Sequence, residues 1–220
     1  MSVPAPLLVI SDRRASARGS LSYVVAAAFA GGCRWLMVRE KDLPPAALAA
    51  LVEEIVALAR PFGAAVSVNG DATVAVERGA RGVHLPQGHD VAAARRIVGE
   101  TTLVGVSAHS LDEARAAEAQ GVDYVTLSPV FPSASKPGYG PVLGADGFAR
   151  IAAALDVPVV ALGGITAANA NECLAAGAAG VAVLGAVMHA EDPARAVATI
   201  VQAIAAVRQP RSSRTSRGDW

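Results

Sequence analysis

A single (β/α)8 barrel is the fold class this sequence predicts, and three observations predict it. Eight short apolar runs recur along the chain, each four or five residues long. Most are apolar on both faces, as parallel strands covered by helices should be. Ala-rich segments separate them, and eight such units in 220 residues close most simply into a barrel. Polar residues and glycines collect just after the runs, where barrel enzymes place their chemistry. An open doubly wound sheet is the alternative this pattern leaves.

The first strand is read at 7–11 (LLVIS) and the second at 35–39 (WLMVR). A helix follows over 45–61 (PAALAALVEEIVALARP). The third and fourth strands, AVSVN at 65–69 and GVHL at 82–85, flank a helix closed by Gly79. The fifth, LVGVS at 103–107, leads into LDEARAAEAQG at 111–121. That helix has carboxylates in its first turn and Gly121 just past its end, both boundary signals. The sixth strand, YVTLS at 124–128, runs into the long segment SPVFPSASKPGYGPVLG at 128–144. PVVAL at 158–162 and GVAVL at 180–184 complete the set, with Gly177 closing the helix between them. Residues 1–207 read as one barrel domain, and the basic, polar 208–220 as a disordered tail.

Composition narrows the function classes. Formal net charge is zero, so no general pull toward nucleic acid or anionic membrane is expected. No apolar stretch reaches membrane-spanning length without a charge or a Pro/Gly break. The N-terminus lacks the basic region and apolar run of a signal sequence. Cys33 and Cys173 are not in a CxxC and read as small buried hydrophobes, which fits a reducing compartment. The expectation is a soluble cytoplasmic protein; homo-oligomerisation stays open. Metal-protease, zinc-ligand, Walker A, GxSxG and dinucleotide patterns are absent.

Residues just after the strands are the site candidates. Gly163-Gly164 and Leu184-Gly185 follow the seventh and eighth strands, and amides from two such loops can converge on one phosphate. Arg39 and Lys41 end the second strand, with Glu40 read as balancing their charge. Ser133, Ser135 and Lys136 in the 128–144 segment are candidate anion ligands. His109 directly follows the fifth strand, and imidazole can both accept and return a proton. His84 lies within a strand and reads as structural. His89 reads as exposed, and His189 as a surface residue of the last connection.

With these residues laid out, the chain resembles the thiamin phosphate synthase superfamily over roughly 7–207. The signposts are VREK (38–41), VNG (68–70), GVHLPQ (82–87), VGVSAHSLDEA (104–114), YVTLSPVFPSASKPG (124–138), LGGIT (162–166) and GVAVLGAV (180–187). The resemblance implies a (β/α)8 fold and phosphorylated thiazole and pyrimidine ligands. Synthases of this superfamily typically hold Mg2+ on two aspartates, and a Gln on the second strand reads the pyrimidine. Here Gly70 and His89 stand at the aspartate positions and Met37 at the Gln position. Asp71 and Asp90 are each displaced by one residue.

Those departures, with Leu85-Pro86 and Ser107-Ala108-His109-Ser110, resemble the TenI-like thiazole tautomerases. The expectation is therefore a cofactor-free, metal-independent isomerase. It would aromatise a carboxylated dihydrothiazole phosphate with His109 as acid/base. Arg39, Lys41 and Lys136 would attract the anion, and Asn69 and Ser133 would orient the ring. Gly163, Gly164, Leu184 and Gly185 would hold the phosphate. One alternative is a thiamin phosphate synthase that joins hydroxymethylpyrimidine diphosphate to thiazole phosphate with Mg2+ on a rearranged site. The other is a non-catalytic regulator that binds thiamin precursors.

Overall fold

Every one of the eight apolar runs forms a strand, and the strands pair in chain order into a closed parallel barrel. The structure, a computed structural model, describes residues 2–16, 19–133, 138 and 140–208. The strands are β1 (Leu7–Ile10), β2 (Trp35–Val38), β3 (Ala65–Asn69), β4 (Gly82–Leu85), β5 (Leu103–Ala108), β6 (Tyr124–Leu127), β7 (Val159–Leu162) and β8 (Gly180–Val183). Around them run α1 (Leu21–Ala30), α2 (Pro45–Ala59), α3 (Ala72–Glu77), α4 (Val91–Val98), α5 (Leu111–Ala119), α6 (Gly144–Ala152), α7 (Ala170–Ala175), α8 (Gly185–Met188) and α9 (Pro193–Arg208). A 3-10 turn, Arg60–Phe62, follows α2. Pairing of Leu7 with Val181 closes the ring between β1 and β8. The open sheet is thereby excluded. The tail expected at 208–220 lies, beyond Arg208, outside the described residues.

Two apolar cores result from the two-residue period of the strands. One face of each strand, including Val9, Leu36, Val66 and Val125, packs outward against the helices. The other face fills the barrel: Leu8, Ile10, Trp35, Met37, Ala65, Tyr124, Val160 and Ala182 form a separate inner cluster. Trp35 and Tyr124 meet edge to face, with ring centroids 5.0 Å apart. The Tyr124 ring occupies space that a side chain at 105 would fill. A Cβ on Gly105 would stand 2.1 Å from Tyr124 Cζ.

Polar groups in this interior are paired, as burial demands. Trp35 Nε1 donates to Ser67 Oγ at 3.0 Å. His84 stands with Nδ1 3.0 Å from the Tyr124 hydroxyl and Nε2 2.9 Å from Ser107 Oγ. The structural reading of His84 is correct: it is 2% exposed. Burial drives its pKa down from the ordinary 6.5 to about 3, with the nearby Arg39 charge a smaller cause. Cys33 and Cys173 are buried and unpaired, as expected. Among the described residues, no helix is long and apolar enough to cross a membrane.

The depressed His84 pKa has a stability consequence with a definite sign. The unfolded chain takes up a proton near pH 6.5 and the folded one only near pH 3. The stability that His84 contributes is therefore complete above pH 6.5 and is lost as pH falls toward 3. Thermal melts between pH 7 and pH 4 should show Tm falling with pH. His84→Gln should lower Tm at pH 7 and flatten that slope. A variant that keeps the wild-type slope would show that other groups set it.

Candidate functional site

The strand period continues past the strand ends and decides what faces the barrel mouth. Met37, Ser67, Ser107, Thr126 and Ala182 lie on the inward register, so Arg39, Asn69, His109, Ser128 and Leu184 are the next inward positions. At the β6, β7 and β8 end of this mouth lies a cavity of about 500 Å³. Its walls include Ile10, Arg39, Ser128, Ser133, Gly163, Gly164, Leu184, Gly185 and His189. The candidates Arg39, Ser133, Gly163, Gly164, Leu184 and Gly185 thus share one space. Lys41 is exposed and Asn69, closing β3, is half-buried; neither lines the cavity. Ser135 and Lys136 lie outside the described residues.

The paired glycines are required by packing as well as by any ligand. Gly164 has φ 65°, and a Cβ there would stand 2.3 Å from the Pro132 carbonyl oxygen. Gly163 has φ 100°, and its Cβ would stand 2.9 Å from Pro129 Cα. The segment after β6 lies directly on them, through Val130 N–H to Leu162 O and Phe131 N–H to Gly163 O. Close packing is thus a second demand on these glycines, beside the ligand role expected of them. Among the described residues, the amides of Gly164, Ile165, Gly185 and Ala186 donate to no protein acceptor. Unpaired N–H groups beside a cavity favour an anion there.

His109 stands beside Ser128 of this wall. Its Nδ1 is 2.8 Å from the Ser128 carbonyl oxygen and 3.2 Å from Ser128 Oγ. Ser128, and not His109, is among the residues lining the cavity. The backbone of His109 is fixed by Glu113, whose Oε2 accepts its N–H at 2.6 Å. Ser110 in turn caps α5 by accepting from Glu113 N. The sequence His-Ser-Leu-Asp-Glu is thus a helix start that orients the imidazole toward β6.

Glu40 was read as a charge balance for Arg39 and Lys41, and the structure gives it a different task. Its carboxylate is 5% exposed and accepts from Ser11 Oγ at 2.6 Å and from Arg13 N at 3.1 and 3.2 Å. It anchors the loop after β1 to the end of β2. Outside it, Arg13 forks onto Asp42 with two 2.6 Å bonds. The Arg13 hydrogen bond holds the Asp42 carboxyl down at about 2. Ser11 Oγ also accepts from Arg39 N at 2.9 Å, so the cavity-lining arginine shares this scaffold.

The two displaced aspartates are occupied elsewhere. Asp71 Oδ1 accepts from Val74 N at 2.8 Å and is the N-cap of α3. Asp90 Oδ1 accepts from Ala93 N at 2.9 Å and is the N-cap of α4. His89 is exposed, and Met37 is buried in the barrel interior at 1% exposure. Among the described residues, no group of three or more His, Cys, Asp or Glu side chains is placed to hold a metal ion. Mg2+ needs near-octahedral oxygen ligands, commonly carboxylates, and imidazole suits softer ions. The donors at the ends of β3 and β4 therefore do not fit Mg2+.

His189 also lines the cavity, which sequence reasoning did not foresee. It was read as plain surface, yet it lines the cavity while remaining exposed. The available signal was its place four residues after Gly185, one helical turn on.

Known proteins resemble the chain closely. A family model described as thiamine monophosphate synthase matches residues 7–187. A putative thiamine-phosphate synthase of Geobacter sulfurreducens is 44% identical over 188 residues, covering 85% of this chain and 88% of that one. The thiamine-phosphate synthase of Roseiflexus castenholzii is 42% identical over 187 residues, covering 84% and 82%. Among solved structures, a thiamine phosphate pyrophosphorylase from Pyrococcus furiosus superposes with TM-score 0.83 at 32% identity, covering 92% and 96%.

These relatives overturn the isomerase expectation. The tautomerase reading rested on Gly70, His89, Met37 and a few loop residues, whereas the likeness to proteins named as synthases spans over four-fifths of the chain. His109, cast there as the acid/base, is hydrogen-bonded to Ser128 of the cavity wall.

Because Asp71 and Asp90 act as helix caps, Asp71→Ala and Asp90→Ala should each cost about 1 kcal/mol of stability. Urea denaturation would measure it. A loss well below ~0.5 kcal/mol at both positions would show that the carboxylates do not cap α3 and α4.

Proposed function

The chain belongs to the thiamine monophosphate synthase family, and from that premise we propose that it is a transferase coupling hydroxymethylpyrimidine diphosphate to a thiazole phosphate. The supporting observation is the 42–44% identity to thiamine-phosphate synthases over more than four-fifths of the chain. In this reaction the thiazole nitrogen lone pair forms a C–N bond to the pyrimidine methylene carbon. The methylene C–O bond breaks, and its electron pair leaves with the diphosphate. The ring nitrogen becomes the positive centre of a thiazolium.

The cavity residues have distinct tasks in that reaction. Both substrates are anions, and the bond change develops further negative charge on the departing diphosphate. Arg39 is half-buried, lines the cavity and is anchored through its amide to Ser11. Its guanidinium can grip phosphoryl oxygens with parallel hydrogen bonds. Lys41 adds a cation further out on the same loop and Ser133 a hydroxyl. Gly164, Ile165, Gly185 and Ala186 offer amides to the phosphate of the thiazole. His109 is a positioning residue that holds Ser128 at the wall. Asn69 marks the β3 side of the mouth, where the pyrimidine would lie. Since the donors at β3 and β4 do not fit Mg2+, no part of this scheme is assigned to the ion.

The test is a coupling assay on the purified chain, following thiamin phosphate formed from the two substrates. Turnover is expected, and Arg39→Ala should lower kcat/KM by about 10²-fold through lost stabilisation of the leaving group. A wild-type chain that binds both substrates yet forms no product would refute the reading. Near-normal turnover of Arg39→Ala would remove Arg39 from its role.

A further inference from the structure

The cavity walls contain only two titratable side chains among the described residues, Arg39 and His189. They enter from opposite sides of β1, since the barrel order runs β8, β1, β2. Arg39 follows β2, while His189 stands just beyond β8, on the side of the loops bearing Gly163, Gly164 and Gly185. We infer that His189 is a substrate-binding residue that reads the phosphate monoester of the thiazole substrate. This inference rests on the proposed reading of the cavity as a phosphate-holding site.

Four features carry it. The backbone of His189 is fixed by its N–H bond to Gly185 O at 3.1 Å. Residues four apart on a helix share a face, and side chains lean back over the preceding turn. The imidazole follows that rule: a Cβ on Gly185 would stand 3.4 Å from its Nδ1 and 3.5 Å from its Cε1. Gly185 does not adopt a positive φ, so its backbone does not require a glycine. Its missing side chain instead leaves room between the imidazole and the cavity. Among the described residues, no protein group hydrogen-bonds to the His189 ring nitrogens. An imidazole carries an N–H donor in either protonation state, and a phosphate oxygen is the acceptor this space would bring. The two sides of β1 then divide the substrates. His189 serves the monoester phosphate, and Arg39 serves the diphosphate.

The experiment titrates inorganic phosphate into the full chain carrying 15N-labelled histidine and follows the imidazole resonances. His189→Asn identifies the His189 signals. In the wild type, those signals should shift saturably. In His189→Ala, the phosphate Kd should rise about tenfold, as loss of one hydrogen bond to a charged group implies. His189→Gln should restore part of the affinity. In the coupling assay, His189→Ala should raise KM for the thiazole phosphate about tenfold, with kcat little changed.

Phosphate binding that is equal in wild type and His189→Ala would overturn the inference and leave the cavity reading intact. A wild type that binds no phosphate would overturn both. His189-dependent phosphate binding without any coupling would refute the transferase reading and uphold the role of His189.

Discussion

The interior of the barrel is closed by Tyr124, and the location of the site depends on that closure. Its ring fits only because residue 105 is a glycine on the neighbouring strand, in register with it. With Trp35 packed edge to face against it, the barrel becomes a filled core. The polar atoms introduced there need partners, and Ser67, Ser107 and His84 supply them within the barrel. Nothing the size of a substrate can enter such an interior. A ligand must sit above it, against the next inward positions of the strands. Arg39, Ser128 and Leu184 occupy those positions.

Two loops then have to be held over the mouth, and each is held by a buried device. The segment after β6 rests on Gly163 and Gly164, where any side chain would strike Pro129 or Pro132. The loop after β1 is held by Glu40, whose carboxylate collects donors from Ser11 and Arg13. A buried carboxylate without such donors would be costly, and with them it becomes a fixed anchor. The cationic rim is consequently rigid where Arg39 joins it and more exposed farther out, where Arg13 and Arg14 meet Asp42. Rigidity at Arg39 matters most if it must meet a charge that grows during bond breaking.

Strand positions were legible because buried parallel strands need apolar residues on both faces, and such runs stand out in an Ala-rich chain. Helix ends were legible where glycine marks them, as at Gly79, Gly121 and Gly177. The role of Glu40 was not legible, because a carboxylate flanked by Arg39 and Lys41 looks like local neutralisation. Its partners come from residues 11 and 13, which only the β1–β2 pairing brings near. His189 was missed for a related reason. A histidine followed by Ala-Glu-Asp-Pro looks solvated, and its approach to the cavity depends on the turn at Gly185. The assignment to the tautomerase branch failed because it weighted single loop positions. Those positions show which ligands a rim has lost, but not which reaction the remaining rim performs.

The capping aspartates show what carboxylates at the rim do for the fold. A carboxylate at a helix N-cap accepts an N–H that would otherwise be unsatisfied, and removing it costs about 1 kcal/mol. Asp71 and Asp90 each spend one carboxylate oxygen in that way. Gly70, between Asn69 and Asp71, offers no side chain in compensation. For the proposed transfer, the protein's own cations offer countercharge to the diphosphate. Among the described residues, Arg39 is the cation built into the cavity wall, and it is tied to the β1–β2 scaffold. The site is therefore organised around β1, with a guanidinium on one side and glycine loops with an imidazole on the other. That arrangement suits two anionic substrates whose reacting atoms must meet between their charges.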